Sequence, residues 1–273
     1  MIELRRTPYA YRTSHRLEQI DVLMPSGLRA ELIRKDLRRS ELHPDALAIR
    51  PEFLYDAQRE IEAYRLLAGL NLGTPVCHEL GDDWVLLEKI SGVELWQVGD
   101  LDSWVAVARW LAMFHSQFEE FASPSPHLMR YDAQFFRLWP ERAKHLQPDL
   151  RRVISGYELV VTILSQLPTT VIHGEFYASN VLVAGGRIAP VDWEMVGIGP
   201  GILDLAALVT GWDPAERAQI VAGYGAVDSI SLAAARLHLA MQWLTWSSDW
   251  SPPAQHRRDW LAEVCEMADL LGL

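Results

Sequence analysis

Val171-Ile-His-Gly-Glu-Phe-Tyr-Ala-Ser-Asn180 and, after an apolar run and the Gly185-Gly186 turn, Val191-Asp-Trp-Glu194 decide how this chain folds. Short runs of Val, Ile and Leu flank both segments, so Glu175, Asp192 and Glu194 sit where an unpaired charge is costly to bury. Each therefore needs a partner, a metal or a chemical task. The pattern predicts two polar loops held by short β-strands, one carrying His173, Glu175 and Asn180 and the other Asp192 and Glu194.

The 273 residues are 49% hydrophobic, enough for a large core and more typical of two domains than of one. A formal net charge of −11 argues against a nucleic-acid partner, because phosphate backbones are bound by Lys and Arg. It suits a cationic small-molecule partner or simply a well-solvated acidic surface. Cys77 and Cys265 lie far apart without a Cys-x-x-Cys pattern and read as reduced, buried thiols rather than a disulfide or zinc knuckle. Met1-Ile-Glu-Leu-Arg-Arg6 has no apolar signal core, and no apolar run reaches the roughly 18 residues of a membrane helix, so no membrane partner and a cytoplasmic location are expected. No sequence feature indicates an oligomeric state.

Outward from the opening segments, residues 1 to about 35 alternate like strands. Arg16–Met24 and Leu28–Lys35 flank Pro25-Ser-Gly27 as an antiparallel hairpin that Lys35 closes. Between Pro51 and Leu70, Phe53, Leu54, Ala57, Ile61, Tyr64, Leu67 and Ala68 recur at helical spacing. Pro75–Leu80 and Trp84–Ile90 read as two further strands around Gly81-Asp-Asp83. Strand, strand, helix, strand, strand makes an α+β lobe with an antiparallel sheet. A second helix is expected over Leu101–Phe121, and residues 202–224 and 231–271 read as helical apart from Ser251-Pro-Pro253. The boundary is placed near residues 88–93, without repeats or low-complexity tracts.

Phosphoryl transfer needs a metal to hold the phosphates, a lysine on them and a carboxylate near the attacking hydroxyl. Lys35 ends a strand, and Glu60, on the face of the next helix turned to the sheet, is its candidate ion-pair partner. Asn180 and Asp192 offer the hard oxygen ligands that Mg²⁺ prefers, with Glu194 as a further candidate ligand.

With these residues in place, the chain resembles the aminoglycoside phosphotransferase and choline kinase-like family, a branch of the protein kinase-like fold. The resemblance rests on Leu32-Ile-Arg-Lys35, Arg59-Glu-Ile-Glu-Ala-Tyr64, Leu86-Leu-Glu-Lys-Ile-Ser-Gly92 and the loops at 173–180 and 192–194. Leu111-Ala-Met-Phe-His115 and Gly199-Pro-Gly-Ile-Leu-Asp204 support it. It implies a bilobed α+β protein: an N-lobe over 1–88, with an antiparallel sheet plus a helix, and a larger, mainly helical C-lobe over 89–273. It also implies a Lys35–Glu60 ion pair, adenine held by the backbone of Glu88, Lys89 and Ile90, and Mg²⁺ on Asn180 and Asp192. His173 would orient the catalytic loop and Asp204 would pin it. The implied nucleotide is ATP, with GTP as the alternative, and the implied acceptor is a hydroxyl of an aminoglycoside-, amino alcohol- or sugar-like molecule.

Two departures qualify the expected activity. The family has Asp where this chain has Glu175, which moves the carboxylate outward by one C–C bond, roughly 1.5 Å, and catalysis is sensitive to about 1 Å of misplacement. A kinase-fold protein that binds nucleotide or ligand without turnover is therefore the alternative reading. The phosphate-covering segment Tyr9-Ala-Tyr-Arg-Thr-Ser-His15 has no glycine, leaving Thr13 and Ser14 as candidate phosphate contacts or as parts of an ordinary turn.

Other chemistries are excluded or weaker. His173-Gly-Glu175 is half of a zinc deaminase signature, but no Pro-Cys-x-x-Cys follows. Gly197-Ile-Gly-Pro-Gly201 has the wrong spacing for a dinucleotide fingerprint, and neither a Walker A sequence nor a Gly-x-Ser-x-Gly elbow occurs. Trp212, Trp243, Trp246, Trp250 and Trp260 read as core before pocket, with Asp213 and Asp249 as candidate contacts for a cationic acceptor group.

Overall fold

A computed structural model describes residues 1–10, 14–119, 121, 123, 125–147, 150–246 and 258–273. Along the chain run β1 (Ile2–Tyr9), β2 (Leu17–Leu23), β3 (Arg29–Asp36), α1 (Pro44–Ile49), α2 (Ala57–Leu67), β4 (Cys77–Leu80), β5 (Trp84–Glu88), β6 (Val93–Glu94) and α3 (Leu95–Val98). They are followed by α4 (Leu101–Gln117), β7 (Met129–Arg130), α5 (Ala133–Leu146), α6 (Arg151–Gly156), α7 (Glu158–Ser165), β8 (Thr169–Ile172), β9 (Val181–Ala184) and β10 (Arg187–Pro190). The chain ends with β11 (Gly197–Pro200), α8 (Ile202–Leu208), α9 (Pro214–Tyr224), α10 (Ser229–Leu244) and α11 (Trp260–Leu271). The fold is α+β, and its residues group into two compact units, 1–98 with 179–195 and 99–178 with 196–273.

The first unit is built on an antiparallel sheet of order β1-β2-β3-β5-β4. Alternation drives it: Ile20, Val22, Leu32 and Leu86 turn to one face and pack as a buried cluster. β1 falls in the 1–35 stretch that alternates like strands and adds a fifth strand to the four named there; its residues are largely exposed. Helix α2 begins at the Asp56 cap, whose carboxylate accepts the Gln58 N–H, and buries Ile61, Ala63, Tyr64 and Leu67. It starts later than the spacing suggests: residues 52–54 form a separate 3₁₀ turn with Leu54 buried and Phe53 exposed. A three-stranded sheet of order β10-β9-β6 completes the unit. Because Val93 and Glu94 pair with Val183 and Leu182, residues 89–98 and 179–195 belong with the first unit, whereas the sequence reading drew its line between 88 and 89.

The second unit is mainly helical, with a small β7-β11-β8 sheet. The expected stripe of α4 is present, with Trp104, Val107, Ala108, Leu111 and Phe114 all buried. Asp100, Asp132, Asp228 and Asp259 cap α4, α5, α10 and α11 by accepting backbone N–H groups. The two thiols are free, but Cys77 is only partly buried and Cys265 is exposed, because α11 turns that position outward. No single helix among the described residues is long and apolar enough to cross a membrane.

Buried in α10, His238 places Nδ1 2.8 Å from the Tyr157 hydroxyl. Burial holds the phenol well above its ordinary value and pushes the imidazole down to about 3, so the phenol keeps its proton and donates to a neutral ring. Unfolding restores an imidazole value near 6.5, so below that pH the unfolded chain binds a proton that the folded chain refuses. Stability therefore falls as pH drops from about 6.5 towards 3, by about 1.4 kcal/mol per unit from this site. Urea unfolding between pH 7 and 4.5 is expected to show that slope reduced in His238→Asn; equal slopes would remove His238 as the cause.

Candidate active site

The hairpin register sets Lys35 opposite Leu17 on one side and Val85 on the other, so its side chain leaves the sheet on the face covered by α2. Nζ lies 2.7 Å from Glu60 Oε2 and 3.0 Å from Glu194 Oε1, and it also bonds Asp192 Oδ1. Lys35 and Glu60 are 3% and 2% exposed, too dry for an unpaired charge. Burial opposes the ammonium, but Asp192, Glu194 and Glu60 outweigh it and hold the Lys35 pKa well above its ordinary value. The three carboxylates each bring an oxygen within 4.8 Å of the others, and the ammonium binds them all.

Asp192 and Glu194 lie on the turn after β10. Asp192 has φ 66°, the only non-glycine positive φ among the described residues. Such a backbone is costly for a residue with a Cβ and persists only where neighbours impose it. Trp193 is fully buried, its indole N–H donating to Pro190 O at 3.3 Å, and Val191 N–H donates to Asn180 O at 2.9 Å. The Asn180 and Asp192 segments are thereby tied together. Burial pushes the Asp192 carboxyl well above its ordinary value; Lys35 opposes this, and Glu194 and Glu60 reinforce it. The site is thus short of positive charge at Asp192. A divalent cation on the Asp192 and Asn180 oxygens suits that deficit and that donor chemistry.

Glu194, expected as a further metal ligand, lies with Glu60 and Asp192 close enough to share an ion, and it also holds several other partners. Its Oε1 is engaged by His15 Nδ1 at 3.0 Å and by Lys35, its Oε2 by Arg50, and its main-chain oxygen by Arg59 Nη1 at 2.9 Å. Burial would raise its pKa, but Lys35, Arg50 and His15 hold it well below the usual carboxylate range.

Lys35 and Asp192 also line a cavity of about 310 Å³ within the first unit, together with Leu87, Glu88, Lys89 and Ile90. Within the backbone expected to hold adenine, Glu88 N–H donates to Val76 O at 2.8 Å and Lys89 N–H to Glu31 O at 3.2 Å. Ile90 N–H has no hydrogen bond among the described residues. The Glu88 carboxylate is clamped by Arg187, which donates to both its oxygens at 2.7 Å and to the Gly73 and Thr74 carbonyls.

His173 and Glu175 belong to the second unit. Asp204, 1% exposed at the start of α8, accepts His173 N–H at 2.7 Å and Gly174 N–H at 2.9 Å, and lies 3.2 Å from His115 Nε2. Gly174 has φ 85°, so the loop turns there without a side-chain penalty. Glu175 N–H donates to His173 Nδ1 at 3.3 Å, and buried Phe176 stacks on Trp110 at 5.8 Å.

Residues 46–243 match the phosphotransferase enzyme family. The chain belongs to that family. No curated protein matches the sequence. Among solved structures, a choline kinase from Cryptosporidium parvum is similar, with a TM-score of 0.67, 13% identity and coverage of 97% of this chain and 90% of that one. A macrolide 2'-phosphotransferase from Brachybacterium faecium gives 0.64 and 17%, covering 95% and 91%. An APH(2")-IIa structure in complex with streptomycin and ATP gives 0.60 and 13%, covering 98% and 92%. At these identities the structural likeness speaks to the fold.

As a member of the phosphotransferase family, the chain brings together in one unit Lys35, Glu60, Glu88, Lys89, Ile90, Asn180, Asp192 and Glu194. Ser14 lies in the same unit, its carbonyl accepting His43 N–H at 2.8 Å; Thr13, Asp249 and Trp250 fall outside the described residues. Trp246 is core, whereas Trp243 donates to the Tyr177 hydroxyl and stacks with Trp260 at 6.0 Å. Asp213 is exposed and precedes α9. His15, Arg50, Arg59 and Arg187 escaped the sequence reading; an arginine directly after Gly185-Gly186 was the one visible hint.

Asp204→Ala would strip an acceptor from two main-chain donors and an imidazole, and is expected to cost at least about 3 kcal/mol in urea unfolding. Glu158→Gln, which breaks a surface pair with Arg137, is the control and is expected to leave the midpoint in place. Similar midpoints for the two variants would refute the anchoring role of Asp204.

Proposed function

We propose that the chain is an ATP-dependent, Mg²⁺-requiring phosphotransferase that moves the γ-phosphate to a hydroxyl of a small molecule. The observation that carries the reading is the Lys35 ammonium fixed by Glu60 and Asp192 in a cavity that Glu88, Lys89 and Ile90 also line. A nucleotide with its base at Ile90 would send its phosphates towards that ammonium. Family membership supports the reaction class. GTP is the alternative donor.

In this reading Lys35 binds the phosphates while Glu60 keeps the ammonium in place, and Asn180 and Asp192 hold the metal. Bound Mg²⁺ would supply neutralisation of the negative charge on the nucleotide's phosphates. Glu175 orients the acceptor hydroxyl and takes its proton as the new O–P bond forms and the bond from the γ-phosphorus to the β-phosphate oxygen breaks. The acceptor is read as an aminoglycoside-, amino alcohol- or sugar-like hydroxyl compound.

Mg-ATP at about 100 times its Kd is expected to raise Tm by about 5 °C or more in wild type, and the rise should shrink in Asp192→Asn and vanish in Lys35→Met. ADP release is expected with an acceptor drawn from panels of aminoglycosides, amino alcohols and sugars. Glu175→Gln should lower it by about 10²-fold or more, while Glu175→Asp retains it. Mg-ATP binding without turnover on any panel member, together with identical behaviour of Glu175→Asp and Glu175→Gln, would favour the reading as a ligand-binding protein. No thermal shift with either nucleotide would overturn both readings.

A further inference from the structure

The cluster around Glu194 contains more N–H donors than holding Lys35 requires. His15, at the end of the glycine-free segment before β2, is 4% exposed and reaches Glu194 Oε1. A carboxylate oxygen can only accept, so Nδ1 carries the proton in this bond. His15 is itself fixed by an antiparallel bridge to Leu42, and its neighbours by His43 N–H to Ser14 O and Arg16 N–H to Glu41 O. Arg50 comes from the segment between α1 and α2, its side chain 9% exposed, with Nη1 on Glu194 Oε2 and Nη2 3.5 Å from Met195 Sδ. Arg59, on α2 beside Glu60, joins Leu54 O and Glu194 O at 2.8 and 2.9 Å.

Both carboxylate oxygens of Glu194 are thus committed to cations or N–H donors, and its backbone is held as well. Two residues earlier stands Asp192, left-handed and strained. An aspartate stays at φ 66° only if the chain on both sides is pinned. Val191 is pinned by Asn180, and Glu194 by the three groups above. We propose that Arg50 and His15 are positioning residues that, through Glu194, hold Asp192 in its left-handed backbone and keep Glu194 out of the coordination sphere of the metal that Asp192 binds. The inference rests on Asp192 as a metal ligand, as in the proposed function.

Two measurements test it. In the nucleotide-free protein, hydrogen exchange of the 190–196 backbone is expected to quicken at least tenfold in Arg50→Met and in His15→Gln. It should return close to wild type in His15→Asn, whose amide sits where Nδ1 does, and in Arg50→Lys. In the second, the Mg²⁺ or Mn²⁺ concentration that half-saturates the nucleotide-dependent thermal shift should rise about 10-fold or more in Arg50→Met and His15→Gln, with metal-free nucleotide affinity within twofold of wild type. Loss confined to overall stability, with the metal midpoint unmoved, would overturn the proposal by reducing the cluster to scaffolding. Unchanged exchange in both variants would overturn it directly, and so would failure of His15→Asn to recover while His15→Gln behaves as wild type. Should wild type bind no nucleotide, the proposed function fails, and the exchange measurement alone decides whether the bracket holds the turn.

Discussion

A single buried ammonium organises the first unit. Lys35 is nearly inaccessible to water, yet three carboxylates converge on it. Desolvating such groups costs several kcal/mol per ion, and well-packed apolar residues would often do as well for stability alone. The arrangement is therefore poor evidence of a stabilising device and good evidence of a functional one. It demands that β3, α2 and the turn after β10 arrive together, because without the Lys35 ammonium the carboxylates of Glu60, Asp192 and Glu194 lose their shared counter-charge. The constraint spreads outward: Arg50 and His15 engage the Glu194 carboxylate, and Arg59 holds its main-chain oxygen.

What could be read from the sequence was what is periodic or local. Lys35 at the end of an alternating strand and Glu60 on the sheet-facing stripe of the next helix follow from periods of 2.0 and 3.6, and the 2.7 Å pair realises both. The α4 stripe was equally plain. What escaped is long-range and aperiodic. His15 and Arg50 meet Glu194 across 179 and 144 residues of chain, and no local pattern marks a cation as the partner of a distant acid. The unit boundary moved for the same reason: the two residue pairs between β6 and β9 carry 89–98 and 179–195 into the first unit, and strands that short leave no alternation to read. Phe53 looked like part of a helical stripe because Leu54 beside it truly is buried, in a 3₁₀ turn of different phase.

The acidic balance also reads differently once side chains are placed. Asp56, Asp100, Asp132, Asp228 and Asp259 each end their search for a partner at a helix N-terminus, where the backbone dipole favours negative charge. Ion pairs to Arg and Lys absorb others, such as Glu88 on Arg187. Part of the net charge of −11 is thus architectural. That weakens composition as an argument for a cationic acceptor and leaves the choice to the residues around Glu175.

Around Glu175 the second unit removes one way of accommodating the extra methylene. A retreat of the loop backbone would have restored an aspartate-like carboxylate position, but the loop is anchored on both sides. Asp204 holds the 173 and 174 amides, Phe176 is fully buried against Trp110, and Tyr177 accepts from Trp243. With the main chain fixed, the added reach of roughly 1.5 Å must be taken up by the side chain, either folded back or extended. Folding back costs rotamer freedom and brings the carboxylate towards its own loop. Extension places the proton-accepting oxygen farther from the loop, so the reacting hydroxyl must stand off by a similar distance. On the proposed reading, then, the Glu at position 175 is a constraint on acceptor size and placement as much as a threat to turnover.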